Sequence, residues 1–126
     1  MTAQTRPILL IEDDATTRQL YATILQNAGY RVETAVDGES GLKKAQGGGW
    51  ALILLDVMLP KLDGLDVITA LKKNPPAQAN GPIMLMTNLA GDAIIQQGLT
   101  LGAHACITKA DTTPQQLVAF VKKNLS

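Results

Sequence analysis

The stretch ALILLDVMLPKLDG, Ala51 to Gly64, decides how the rest of the chain is read. Leu52, Ile53, Leu54 and Leu55 form a continuous apolar run of strand length. The run ends on a carboxylate, Asp56, which cannot stay buried without a partner. Asp63, seven residues on, stands where it would cap a new helix over Gly64, Val67, Ile68 and Leu71. A buried strand, an acid at its end and a capped helix predict one unit of a parallel α/β sheet.

The same unit recurs outward in both directions. ILLI (Ile8–Ile11), IMLM (Ile83–Met86) and ACIT (Ala105–Thr108) are close to continuously apolar, as strands covered on both faces must be. RVETAV (Arg31–Val36) is different: Val32, Thr34 and Val36 alternate with Arg31, Glu33 and Ala35, which suits an edge strand with one wetter side. Between the runs lie helical patterns. Leu20, Tyr21, Ile24, Leu25 and Ala28 make one stripe, stopped by Gly29. Asp37 caps a second helix, and Ile94, Ile95, Gly98, Leu99 and Gly102 mark the fourth. Thr113 caps a fifth that begins at Pro114 and turns Leu117, Val118 and Val121 inward. Gly47–Gly49 and Asn74–Pro82 are turn-rich connections. Five βα units predict a three-layer sandwich around a parallel sheet.

In such a sheet, ligands gather beyond the carboxyl ends of the strands. Those ends are polar here: Glu12, Asp13 and Asp14 after the first run, Asp56 at the third, Thr87 and Asn88 at the fourth, Thr108 and Lys109 at the fifth. If the first, third, fourth and fifth strands are neighbours, Glu12, Asp13, Asp56, Thr87 and Lys109 converge. Each pair of carboxylates 4 Å apart repels by about 4 kcal/mol at an effective dielectric near 20. Lys109 offsets part of that and a divalent cation more; hard oxygen ligands suit Mg²⁺. An aspartate so placed is a competent phosphoryl acceptor, with Thr87 and Lys109 on the moving oxygens.

Composition narrows the classes. A chain of 126 residues, 46% apolar, is expected to form one domain over residues 1–126. Lys+Arg and Asp+Glu both number 11, so there is no basic surplus for direct nucleic-acid or anionic-membrane binding. One cysteine forms no internal disulfide, Met1–Pro7 is polar rather than a signal peptide, and no apolar stretch spans a bilayer. The expected location is the cytoplasm.

ILLIEDDATTR, LILLDVMLPKLDG, PIMLMTN and GAHACITKA together resemble the four signature segments of the receiver domain of two-component response regulators. The resemblance runs over essentially the whole chain. It implies a flavodoxin-like (β/α)5 fold, five parallel strands in order 2-1-3-4-5 flanked by five helices. It implies Asp56 as phosphoacceptor, Thr87 as switch hydroxyl and Lys109 as phosphate-binding amine. It implies Mg²⁺ held by Asp13, Asp56 and the Met58 backbone carbonyl, with Glu12 acting through water, and leaves Asp14 to cap the first helix. The implied partners are a histidine kinase or histidine phosphotransfer protein and an unspecified downstream protein, met through the fourth helix, fifth strand and fifth helix. That face is sparse in charge (Asp92, Lys122, Lys123), so a monomer or weak dimer is expected. The module is implied to be a signalling switch and not an enzyme, free-standing or cut from something longer.

Three positions depart from the family pattern. Ala110 follows Lys109 where Pro is usual, Cys106 replaces an aromatic that commonly reports the switch, and Asn88 follows Thr87 where a smaller residue is frequent. These motivate an alternative, a receiver-like binding module that works without phosphorylation. An aspartyl-phosphate phosphatase would need a second acid where Met58 stands, and a flavin carrier an anion-binding loop where Glu12–Asp14 stand. Singly, Asp13, Asp14 and Asp56 could be caps or strand ends; Cys106 reads as a packing residue and His104 as an exposed turn residue.

Overall fold

The computed structural model describes residues 6–88 and 92–125; the polar start at Met1–Thr5 and the side chain of Asp92 lie outside the described residues. In chain order the elements are β1 (Ile8–Ile11), α1 (Ala15–Asn27), β2 (Val32–Ala35), α2 (Gly38–Gln46), β3 (Leu52–Asp56), α3 (Gly64–Lys73), β4 (Ile83–Thr87), α4 (Asp92–Leu101), β5 (Ala105–Thr108) and α5 (Pro114–Leu125). The strands form one parallel sheet in the order β2-β1-β3-β4-β5, as expected.

Alternation along each strand sends side chains to two separate cores. Leu9, Ile11, Ile53, Leu55 and Leu85 pack with Val67, Ile68 and Leu71 of α3 and with Ala45 of α2; Ile94 and Leu101 of α4 close over them. Ile8, Leu10, Leu52, Leu54, Met84 and Met86 pack instead with Tyr21 and Leu25 of α1 and Leu117 and Val121 of α5. Every residue of β1 and β3 is buried, which is why those runs carry no polar alternation. At roughly 1.5–3 kcal/mol for each large aliphatic side chain removed from water, these two strands anchor the fold.

Helix starts follow local chemistry. The side chains of Asp14, Asp37 and Asp63 accept from the N–H groups of Thr17, Ser40 and Asp66, and Asp63 forms a reciprocal box with Asp66. Thr113 and Gln116 exchange the same pair of bonds at the start of α5. Gly29, at φ +99°, ends the chain's first helical stretch in the left-handed region.

Several expected inward positions face water. Leu20 is 52% exposed and Ala28 is exposed, because only Tyr21 and Leu25 of α1 point squarely at the sheet and Ala28 already lies past the helix end. Val36 is exposed and Ala35 buried: β2 stops at Ala35, so its alternation does not reach Val36 before the chain turns into the Asp37 cap. Leu99 is partly exposed, on the flank of α4, and Gly102 follows the end of that helix. All four residues of β5 are half-buried, in keeping with its place at the sheet's other edge.

Two glycines permit close approaches that bear on the strand ends. A Cβ on Gly98 would come 2.2 Å from Leu85 Cδ1, so α4 lies directly against β4. A Cβ on Gly64 would come 2.5 Å from the Asp56 carbonyl oxygen and 2.9 Å from Val57 Cα. Gly64 also donates its N–H to the Val57 carbonyl at 2.8 Å, tying the start of α3 to the end of β3. Alanine for glycine in a helix ordinarily stabilises by roughly 0.5–1 kcal/mol. Gly64→Ala is expected instead to cost about 1–3 kcal/mol by overpacking against backbone. A lowered urea midpoint, with amide shifts at Asp56 and Val57, would bear this out.

Candidate functional site

Strand register brings the polar ends together. Ile11 pairs with Leu55, so Glu12 stands level with Asp56 on the neighbouring strand. Asp56 pairs with Met86, which puts Thr87 one residue beyond, and Thr87 pairs with Thr108, which puts Lys109 next in line. Glu12, Asp56 and Thr87 are buried, an unusual fate for two carboxylates in so small a domain.

The buried acids are matched by one ammonium. Lys109 Nζ donates to Asp56 Oδ2 at 2.9 Å and to Glu12 Oε1, and its side chain is itself only 9% exposed. The other oxygens are held by backbone: Asp56 Oδ1 accepts the Met58 N–H at 3.2 Å, and Glu12 Oε2 accepts the Asp14 N–H at 3.1 Å. Among the described residues no peptide bond is cis, so Lys109–Ala110 is trans, within a short 3₁₀ turn over Lys109–Asp111. Lys109 nevertheless reaches Asp56, without the proline usual after it.

Asp13 completes the cluster from the exposed side. Glu12, Asp13 and Asp56 each offer a carboxylate oxygen, and these lie within 4.8 Å of one another. Three carboxylates against the Lys109 ammonium leave a formal charge of −2, which one divalent cation cancels. All-oxygen donors that are part buried and part open to water fit Mg²⁺. Of Met58 the structure shows the N–H turned to Asp56, while its side chain is exposed. Asp14 caps α1 as expected, and the Thr17 N–H holds its carboxyl below the usual range.

Burial pushes the Glu12 carboxyl above its ordinary value of 4.5, against the Lys109 and Asp14 hydrogen bonds that pull it down. Burial alone would lower the Lys109 ammonium, but its bonds to Glu12 and Asp56 outweigh that and hold it above 10.5. Cys106 is half-buried against the core on the α4 side of the sheet, and burial pushes its thiol up, away from reactivity. His104 is exposed at the opposite end of the sheet, and Asn88 is exposed just past Thr87.

Arg18 has a place at the site that the sequence reading did not assign. Its Nη1 donates to the carbonyls of Glu12 at 3.0 Å and Asp13 at 3.2 Å. The available signal was a cation one helical turn beyond the Asp14 cap, on the face that looks back toward the acids.

The chain matches the family model described as response regulator receiver domain over residues 8–122. It is 36% identical over 115 residues to the transcriptional regulatory protein CpxR homolog of Haemophilus influenzae, covering 91% of this chain and 48% of that protein. It is 38% identical over 117 residues to the alkaline phosphatase synthesis transcriptional regulatory protein PhoP of Bacillus subtilis, covering 93% of this chain and 47% of that one. It thus spans about half the length of these curated relatives. Among solved structures, a CheY-like response regulator receiver domain protein from Methanospirillum hungatei superposes with a TM-score of 0.84 at 28% identity, over 95% of this chain and 93% of that one.

Removing the ammonium tests the charge balance. Lys109→Met should cost about 1–3 kcal/mol at pH 7, because two buried acceptors lose their cation. The sign of its pH dependence follows from Glu12. A carboxyl raised in the folded state binds its proton more tightly there than in the unfolded chain. Its contribution is present below pH 4.5 and lost as pH rises through the folded value. Without Lys109 that folded value climbs further, so the variant should lose more stability than the parent between pH 5 and 7 in urea titrations (roughly 1 kcal/mol for each unit of added shift).

Proposed function

The chain belongs to the response regulator receiver domain family, and from that premise we propose that Asp56 accepts a phosphoryl group from the phosphohistidine of a histidine kinase or histidine phosphotransfer protein. The observation that carries this reading is the buried Asp56 carboxylate, held at one oxygen by Lys109 and at the other by the Met58 N–H, beside the carboxylates of Glu12 and Asp13. Glu12, Asp13, Asp56 and the Met58 carbonyl would hold Mg²⁺, which when bound supplies positive charge for the transferring oxygens.

The chain's own residues account for the rest. Strand register and two hydrogen bonds pre-position the Asp56 carboxylate, so little ordering remains for the moment of attack. An Asp56 oxygen attacks phosphorus; the P–O bond forms as the P–N bond breaks, and the imidazole nitrogen keeps the electron pair and takes a proton from water. Lys109, already an ammonium, neutralises charge on the phosphoryl oxygens without any proton transfer. Thr87, buried at the end of β4, offers a hydroxyl to the new acceptor oxygens. Its shift, passed through β4, β5 and α4, is the conformational readout that a downstream partner would meet on the face of α4, β5 and α5. The domain over residues 1–126 is accordingly a cytoplasmic signalling switch. Among the described residues no helix is long and apolar enough to cross a membrane.

Incubated with Mg²⁺ and acetyl phosphate, the protein should gain the mass of one phosphoryl group, and Asp56→Asn should gain none. Beryllofluoride should shift backbone amides from Asp56 out to α4. Thr87→Ala should still take up phosphate but lose most of the distal shifts. No mass gain in the parent, or shifts confined to the immediate surroundings of Asp56, would favour the phosphorylation-independent binding module.

A further inference from the structure

The three residues Glu12–Asp14 form an irregular corner between β1 and α1, and each is tied by a different device. The Glu12 N–H donates to the Ala35 carbonyl at 3.1 Å, the Asp14 N–H to Glu12 Oε2 at 3.1 Å, and the Asp14 side chain accepts from Thr17 N–H at 2.8 Å. The carbonyls of Glu12 and Asp13 are gripped by Arg18, whose single Nη1 bridges them. Asp13 has an exposed side chain, so the grip on its carbonyl is a constraint on where its carboxylate starts.

We propose that Arg18 is a positioning residue that sets the Mg²⁺ affinity of the acid cluster by fixing the backbone of Glu12 and Asp13. The inference rests on Glu12, Asp13 and Asp56 holding Mg²⁺. Arg18 and Lys109 divide the task between them. Lys109 lies on carboxylate oxygens of Glu12 and Asp56. Among the described residues the Arg18 guanidinium donates to carbonyl oxygens of the same corner and to no carboxylate, so it orders the ligands without occupying them. Groups that hold ligands from behind ordinarily govern metal affinity by tenfold or more.

The two things a guanidinium can do here have opposite signs. As a charge near the cluster it repels Mg²⁺, so deleting it would tighten binding. As a clamp it keeps two ligand-bearing residues in place, so deleting it would loosen binding. The direction of the change decides between them.

Mg²⁺ titrations followed by backbone amide shifts of the full chain read this directly. Arg18→Met is expected to bind Mg²⁺ about tenfold more weakly than the parent. Arg18→Lys, which keeps a donor within reach of the carbonyls, should recover most of the loss. If Arg18→Met does not retain a native spectrum, Arg18→Gln takes its place with the same expected direction. Equal or tighter binding by the Met or Gln variant while the parent binds Mg²⁺ overturns this inference alone. A parent that takes up no Mg²⁺ overturns the metal reading and this inference with it.

Discussion

Everything at the rim of this sheet depends on one ammonium lying between two buried carboxylates. Glu12 and Asp56 are forced side by side by the Ile11–Leu55 register, and the strands that carry them are buried along their whole length. Both acids are buried. Lys109 makes the arrangement tolerable, and it arrives from β5, three strands away from β1 in the sheet. The charge balance of the site therefore depends on where the last strand delivers Lys109. A cation delivered by the last strand neutralises an acid delivered by the first.

Much of this was legible in the sequence, for reasons that differ by element. The apolar runs of β1, β3 and β4 read as strands because both faces are covered. The caps at Asp14, Asp37, Asp63 and Thr113 read correctly because a cap involves only its own three or four residues. The convergence of Glu12, Asp13, Asp56 and Lys109 followed from strand order, which a motif in four segments implies. Exposure of Leu20, Ala28, Leu99 and Val36 did not follow. It depends on how each helix rolls on the sheet and where β2 stops pairing, and periodicity sees neither. The Arg18 contact was hidden for a related reason: its acceptors are carbonyls, present at every residue and so silent in the sequence.

The departures from the family pattern fall unevenly. With a trans bond before Ala110, Lys109 still donates to Asp56. Cys106 is half-buried on the α4 side, a small group where the family commonly has a ring that turns. At that position the thiol offers packing against the core and no ring to turn.

The contact of Gly98 with Leu85 gives the packing of α4 a particular character. A glycine in mid-helix weakens a helix by roughly 0.5–1 kcal/mol relative to alanine, and α4 is only ten residues long. Much of its helicity is borrowed from its seat on β4, at a side chain two residues short of Thr87. A substitution that unseats Leu85 would withdraw support from the middle of the helix, so the persistence of α4 is tied to a core side chain of the neighbouring strand.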